Sequence, residues 1–561
     1  MQEIEWQFDA VDLRPVIRWL EARRPPPERS QEALPGQPGQ PPSSVAFSPL
    51  EARELDDTYL ETGDWRFFKA GLAVRLRTVN GLHEGSLKTL ERSEDGLRRR
   101  TEIRTPLPSH DVAALLEVDS QAGVWVRSLA GSRPLAPLVC LRSARRPYAV
   151  LLDGRPVGEV VLDETVIDGR PEGQPSTLRR VEIEVTPESL EGLRPFVDDL
   201  RSACRLAPAV TTKFEAGLLA LDLTPMGLPD VGPVAAPASP SMGELAYAVL
   251  RRSFLAFLRS EPGARIGEEI EALHDMRVAT RRMRAALALF EPALPARAPR
   301  MREELRWVAG LLGSVRDLDI QLAWIHSWPH TLQPDEQEAL TRLTEALGRR
   351  REKVRQRMLR ALDSRRAERL VRRLVQMLRQ GPPRRSRPGR TPARAAFPGL
   401  VERRHARLVK SGKGLDSDSP PEAFHRLRIR CKRLRYAVEA ARDLYGAPAA
   451  DYAEVLVNLQ DLLGAHQDAY VANARLEELL RSEARRLPLK AVFLMGRLSQ
   501  RHLQQAGKLR KRFPRIYRPC DGKAWSRLVK AMQKAQGPEG TLAWPPSSVA
   551  PSPKPQPSEA S

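Results

Sequence analysis

One stretch of this chain occurs twice, and the repetition sets what the chain can fold into. Leu273-His274-Asp275-Met276-Arg277-Val278-Ala279-Thr280-Arg281-Arg282-Met283-Arg284 is matched by Phe424-His425-Arg426-Leu427-Arg428-Ile429-Arg430-Cys431-Lys432-Arg433-Leu434-Arg435. Each copy has a histidine followed by a base three, seven, eight and ten positions later. At roughly 100° per residue on a helix, the histidine and the +3, +7 and +10 bases share one stripe about 80° wide. Met276 and Met283, or Leu427 and Leu434, lie on the opposite side. Each segment is therefore predicted to bury one face and present a column of positive charge on the other. Arg282 and Arg433 lie beside the column, at a groove edge. A second pair of blocks, Leu311-Leu312-Gly313-Ser314-Val315-Arg316-Asp317 and Leu462-Leu463-Gly464-Ala465-His466-Gln467-Asp468, keeps the same offset of 151 residues. Two blocks at one offset read as a duplicated helical unit, with a period too long for a solenoid.

The formal charge of +21 over 561 residues calls for a polyanionic partner: nucleic acid, anionic lipid or polyphosphate. An arginine-rich composition alone produces bulk charge, but not a repeated stripe. The cysteines Cys140, Cys204, Cys431 and Cys520 are far apart and form no C-x-x-C pair. They suggest neither a disulfide framework nor a zinc site, and a reducing cytoplasm fits. No apolar run of about 18 residues occurs, which argues against a transmembrane helix, and the opening residues lack a signal-peptide pattern. The expectation is a cytoplasmic protein without a membrane partner. Oligomeric state is not legible.

Pro-rich breaks at 24–48, 225–242, 381–398 and 537–561 divide the chain. We read an exposed insertion, an interdomain linker, a joint between two helical halves, and a disordered tail from 536 onward. The resulting domains are 1–224, a linker at 225–242, and an all-α domain at 243–535 with repeats 243–380 and 399–535. Before residue 225 the pattern has a period of two. Glu3, Glu5 and Gln7 alternate with Ile4, Trp6 and Phe8; Arg75 and Arg77 with Val74 and Leu76; Glu182 and Glu184 with Val181, Ile183 and Val185. Gly154 with Arg155 reads as a hairpin turn. After 243 the period is helical, as in Leu305-Trp307-Val308-Leu311-Leu312, which predicts a helical bundle.

Strand faces of Glu-x-Glu and Arg-x-Arg are unusual, because like charges side by side repel unless something neutralises them. Solvated outer faces of an ordinary sheet are one explanation. If the faces instead converge inside a barrel, the carboxylates suit Mg²⁺ or Mn²⁺. Arg75, Arg77 and Lys88 then suit a phosphate chain, with arginine forking onto its oxygens.

The ordered set Glu3-Ile4-Glu5, Leu55-Asp56-Asp57-Thr58-Tyr59, Ala70 to Arg77, Ser86-Leu87-Lys88-Thr89-Leu90, Val181-Glu182-Ile183-Glu184 and Thr212-Lys213-Phe214-Glu215 resembles the CYTH family, the triphosphate tunnel metalloenzymes. The resemblance covers about residues 1–220. It implies an eight-stranded antiparallel tunnel with helices, divalent metal, and hydrolysis or transfer at a triphosphate. By that resemblance Glu3, Glu5, Asp163, Glu182 and Glu184 hold metal. Glu3, Glu5, Arg75, Arg77 and Lys88 serve catalysis, and Arg142, Arg146 and Lys213 bind substrate. One departure stands out: the family opening is Glu-x-Glu-x-Lys, and position 7 here is Gln7. An amide supplies a hydrogen bond but no cation, so a binding-only tunnel is an alternative.

The repeated His–Arg helices resemble the CHAD family over about residues 243–520. That resemblance implies a bundle with internal pseudo-twofold symmetry that binds inorganic polyphosphate and directs proteins to polyphosphate granules. The residues alone agree: ten residues of helix span about 15 Å, enough to follow several phosphates. His274, Arg277, Arg281, Arg282 and Arg284 in one copy, with His425, Arg428, Lys432, Arg433 and Arg435 in the other, are the expected polyphosphate contacts. The histidines have two plainer roles, as metal ligands or as buried partners of the Asp317 and Asp468 segments. Those aspartates are expected to orient bases.

The leading reading is a polyphosphate-associated protein whose tunnel hydrolyses inorganic triphosphate. A granule-targeting protein with an inactive tunnel is the second. A nucleic-acid binder is the third. Aromatic content of 5% leaves few platforms for base stacking, so nucleic acid is expected to bind only nonspecifically, through phosphate. Nothing in the sequence selects the adenine pocket of a cyclase.

Overall fold

The computed structural model describes residues 2–24, 45–91, 93–168, 175–326, 334–483 and 489–535. The chain divides into two units, Met1–Leu228 and Pro229–Ser561.

The first unit is built on antiparallel strands β1 (Gln2–Asp9), β2 (Val45–Pro49), β3 (Arg53–Thr62), β4 (Leu72–Val79), β5 (Leu82–Thr89), β6 (Leu97–Leu107), β7 (Leu135–Leu152), β8 (Arg155–Ile167), β9 (Ser176–Val185) and β10 (Ala207–Pro208). Their order is β10-β1-β6-β5-β4-β3-β7-β8-β9, and β1 also pairs with β9. That pairing closes eight strands into a barrel and leaves β2 and β10 as short additions to β7 and β1. Tight hairpins turn at Asn80-Gly81 and Asp153-Gly154, whose φ angles are all positive, as two-residue turns between twisted strands require. The second turn therefore sits one residue earlier than the Gly154-Arg155 expectation.

The alternation is inverted relative to a barrel with an oily core. Ile4, Trp6, Phe8, Val181 and Ile183 face outward, buried beneath α1 (Arg14–Glu21) and α2 (Leu190–Cys204) through Val16, Leu20, Leu193 and Leu200. The apolar layer thus lies between barrel and helices, and the charged alternates line the bore. A third helix, α3 (Lys213–Ala220), begins with a Thr212–Glu215 capping box and carries Lys213 at its first turn.

Among its described residues, the second unit has ten long helices in two sets of five. The first set is α4 (Met242–Ile266), α5 (Ile270–Leu289), α6 (Ala298–His326), α7 (Pro334–Leu362) and α8 (Arg365–Gln380). The second is α9 (Ala393–Gly412), α10 (Pro421–Ala440), α11 (Ala447–Glu483), α12 (Leu489–Tyr517) and α13 (Lys523–Ala535). Met276, Met283, Leu427 and Leu434 are all buried in one shared core, so the periodicity placed the apolar face correctly. Between the sets, α4 meets α9, α5 meets α10 and α7 meets α12. Equivalent helix touches equivalent helix, which is the signature of a twofold, isologous arrangement.

Some boundaries move. The break at 381–398 is partly helical, because α9 starts at Ala393 and runs through Pro398. Proline has no N–H for the carbonyl of Arg394, and that oxygen accepts from the Tyr445 hydroxyl instead, at 3.5 Å. The 225–242 stretch is not a bare spacer. Val231 is buried in the helical core, and Arg251 donates to the Pro233 carbonyl at 3.0 Å. Of the 24–48 insertion, residues 25–44 lie outside the described residues and 45–48 belong to β2; the expected tail also lies outside them. Among the described residues no helix is long and apolar enough to cross a membrane.

Candidate functional site

The bore of the first unit encloses about 610 Å³. Glu3, Glu5, Arg75, Arg77, Lys88, Glu182, Glu184 and Lys213 all line it, so the strand alternation brings together most of the residues singled out from the sequence. Arg53, Glu84, Arg100, Arg104, Arg145 and Glu159 join them.

The charges are paired in ranks. Arg77 forks onto buried Asp57 through Nε at 2.6 Å and Nη2 at 2.7 Å. Burial pushes the Asp57 carboxyl up, but Arg75 and Arg77 outweigh it and hold it well below its usual range. Arg75 donates to Glu102 at 3.1 Å, and Lys88 to Glu3 at 3.0 Å. Arg100 pairs with Glu5. Arg145 spans Asp163 at 2.7 Å and Glu182 at 2.9 Å, while Lys213 contacts both carboxylates. Burial lowers the Lys213 ammonium, and the two acids only partly restore it.

Three expected positions fall elsewhere. Arg142 and Arg146 are exposed on the outer face of β7, Arg142 pairing with Asp168 at 3.0 Å. Side chains alternate along a strand, and here Leu141, Ser143 and Arg145 take the inner face, so Arg145 occupies the place expected for its neighbours. Asp163 is fully buried between Arg145 and Lys213, a salt-bridge partner instead of an open metal ligand. The signal for Arg100 and Arg104, two of the residues missed, was available in Arg98-Arg99-Arg100-Thr101-Glu102-Ile103-Arg104, whose even positions form another single charged face.

Among the described residues, no three His, Cys, Asp or Glu side chains are gathered tightly enough to hold a metal ion as they stand. The donor chemistry nevertheless fits a hard cation. Glu5, Glu184 and Glu159 are register partners across β1, β9 and β8. Burial raises the Glu184 carboxyl, and the negative charges of Glu3 and Glu159 raise it further. That patch of excess negative charge is what a divalent cation relieves. Gln7 donates to Glu5 at 2.9 Å and to Glu182 at 3.2 Å.

In the second unit, the two basic columns meet. Burial lowers the Lys432 ammonium to about 7, helped by Arg428 on its own helix and by Arg281 and Arg277 from the other copy. Arg277 approaches Asp317 at 3.6 Å, and Arg475 also pairs with Asp317. Burial raises Asp468; Arg428 and Arg277 oppose it and Asp317 adds to it. Asp317 thus pairs with bases of both copies, while Asp468 lies within the electrostatic reach of Arg428, Arg277 and Lys432. The Nε atoms of Arg281, Arg284, Arg316, Arg428 and Arg435 are buried without a hydrogen-bond partner. Arg282 and Arg433 are exposed at the side, and Arg282 lies 3.7 Å from Glu439.

The histidines are half-buried in equivalent places. His425 shares a 2.7 Å hydrogen bond through Nδ1 with Oε1 of Gln467. His274 is lowered by burial and then by Arg316, the residue matching Gln467. The partnering of His425 follows the plainer of its expected roles, a link to the Asp468 segment.

Comparison with known proteins follows the same division. Residues 41–216 match the CYTH domain and residues 248–477 the CHAD domain. The chain resembles the CHAD domain of the plant Ricinus communis at 25% identity, with a TM-score of 0.42 over 54% of this chain and 93% of that one. It resembles PptA from Streptomyces chartreusis at 21% identity, with a TM-score of 0.40 over 50% of this chain and 100% of that one. A putative adenylyl cyclase from Hippeastrum, described as having a dominant triphosphatase activity, matches at 16% identity and a TM-score of 0.28, over 40% of this chain and 98% of that one. No curated protein matches. The chain therefore carries a CYTH domain at residues 41–216, followed by a CHAD domain at residues 248–477.

Proposed function

We propose that this is a polyphosphate-associated protein: the helical trough grips linear inorganic polyphosphate, and the tunnel binds and hydrolyses inorganic triphosphate with Mg²⁺ or Mn²⁺. The observation that carries the reading is the set of arginine Nε atoms in the trough that are buried without an acceptor. A buried donor left unpaired costs about 1–3 kcal/mol, and four of them along two converging columns, with Arg316 of α6 beside them, call for a chained anion. The same chemistry would tether the protein to polyphosphate granules.

In the tunnel, Arg75, Arg77, Arg100, Arg104 and Lys88 surround the bore, and guanidinium forks match phosphoryl oxygens in pairs. Their present carboxylate partners hold them extended into the bore, preorganised for charge that develops during phosphoryl transfer. A divalent cation at Glu3, Glu159 and Glu184 would add a Lewis acid for a phosphoryl oxygen. Phosphate release from tripolyphosphate with Mg²⁺ or Mn²⁺, compared with the Glu3→Gln/Glu5→Gln protein, tests the catalytic half. Equal rates would remove it.

A second reading, a tunnel that binds without turnover, is favoured by Gln7, which brings no cation to the pair Glu5 and Glu182. For the trough, reversing Arg277, Arg281, Arg428 and Lys432 to Glu should abolish binding of long-chain polyphosphate. Before reversal that ligand should outcompete DNA at moderate salt, where purely electrostatic binding fades. Equal competition by DNA would count against a dedicated site.

A further inference from the structure

Helix α8 packs through buried Leu370 and Leu374 and turns Arg366, Arg369 and Arg373 outward along one face. Arg297, just ahead of α6, and Arg300 in its first turn form the opposite wall, and the five arginines enclose a groove of about 370 Å³. Its one carboxylate, Glu304, accepts from Arg366 at 2.6 Å. That bond, with the charges of Arg366, Arg300 and Arg373, holds the acid below its usual range. Among the described residues, no carboxylate forms an ion pair with Arg300 or Arg373.

The duplication supplies its own control. At the 151-residue offset, Arg297, Arg300 and Glu304 correspond to Pro448, Asp451 and Val455. In α13, Leu528 and Met532 are buried as Leu370 and Leu374 are, which matches Arg366, Arg369 and Arg373 to Ala524, Arg527 and Ala531. Arg527 is neutralised by Asp451 at 3.3 Å. The same helix pair thus packs without an arginine cluster. The first copy carries a set of like charges that the fold does not need and that repel one another.

We infer that this groove is a second anion site, separate from the trough, which takes a short run of phosphoryl groups on an inorganic oligophosphate. Seven residues of helix, from Arg366 to Arg373, advance roughly 10 Å, enough for two or three linked phosphates. Guanidinium forks bind such oxygens in pairs. A nucleic-acid strand fits less well: no aromatic side chain lines the groove, and the face of nearby Trp307 is covered by the Arg366 guanidinium at 4.2 Å.

The site shares no residue with the trough, so the two can be separated. The full-length chain is titrated calorimetrically with short-chain inorganic polyphosphate. Arg300→Glu/Arg373→Glu is compared with a control reversal on α7, Arg357→Glu/Arg360→Glu. We expect the first pair to remove one class of site and the control to leave it. In a background with Arg277→Glu/Arg428→Glu, the binding that remains should weaken by about tenfold or more when Arg300→Glu/Arg373→Glu is added. If the groove reversal changes binding in the otherwise unaltered chain no more than the control does, the site is wrong, whatever the trough variant does. Equal displacement by single-stranded DNA of the same phosphate count would also overturn it. Loss of trough binding alone, with groove binding kept, would count for the groove and leave the trough to be judged separately.

Discussion

Gln7 donates from Nε2 to Oε1 of Glu182, 3.2 Å away on the neighbouring strand, while its own Oε1 is buried without a donor. The other acceptor of the amide is Glu5. Because both neighbours only accept, the amide orientation is forced, and the orphaned carbonyl follows from it. In the Gln7→Lys protein an ammonium satisfies both acids and no orphan remains. We expect faster phosphate release from tripolyphosphate, read in a steady-state assay. An unchanged rate would mean that the amide is not what limits turnover. In the Gln7→Met protein two buried acids lose a donor, and chemical denaturation should show a loss of about 1–3 kcal/mol.

Arg145 and its neighbours separate inside from outside. Removing Arg145 leaves buried Asp163 and Glu182 short of a cation, so Arg145→Met should cost about 3–5 kcal/mol. Arg142→Ala and Arg146→Ala change exposed positions and should stay within about 0.5 kcal/mol. Three urea unfolding curves decide it. Similar losses for all three would contradict the inward placement of Arg145.

Acid should unfold the barrel through its paired carboxylates. Burial raises Glu102, but Lys88 and Arg75 lead the cations that bring it from 4.5 down to about 2. A depressed acid contributes stability above its unfolded pKa and loses it as pH falls through the folded one. The window here is pH 4.5 to about 2. Denaturation followed across that window should show a steep decline, made shallower by Glu102→Gln. An unaltered slope in that variant would assign the decline to other groups.

Lys432 gives a slope of the same sign at higher pH. Burial and then Arg428, Arg281 and Arg277 lower its pKa from 10.5 to about 7. The unfolded state binds more protons in that interval, so the contribution of Lys432 to stability rises as pH climbs from about 7 to 10.5. A polyanion in the trough favours the ammonium, and binding at pH 8 should take up a proton. Calorimetry in buffers of different ionisation enthalpy reads that uptake, and Lys432→Met should remove most of it. Uptake that persists in the variant would place the titrating group elsewhere.

Much of this was legible in the chain because periodicity and physics coincide. The period of two put Glu3, Glu5, Arg75 and Glu182 on inner faces, and the 151-residue offset announced the paired helices. What was not legible depended on register or tertiary packing. Arg142, Arg145 and Arg146 lie within five residues of one another, and only the β7 pleat says which one turns inward. Pro398 read as a break because proline opposes helix, yet the Tyr445 hydroxyl at the Arg394 carbonyl lets α9 continue. Asp163 read as an open acid because nothing local shows that Arg145 and Lys213 close over it.

The pairing of like with like across the helical unit has a consequence for direction. Turn a chain of phosphoanhydrides end for end and the same molecule returns; turn a strand of RNA and its sugars run backwards. A surface assembled from two equivalent halves, α5 against α10, offers the same welcome from either end. It therefore suits a polymer that has no heading of its own.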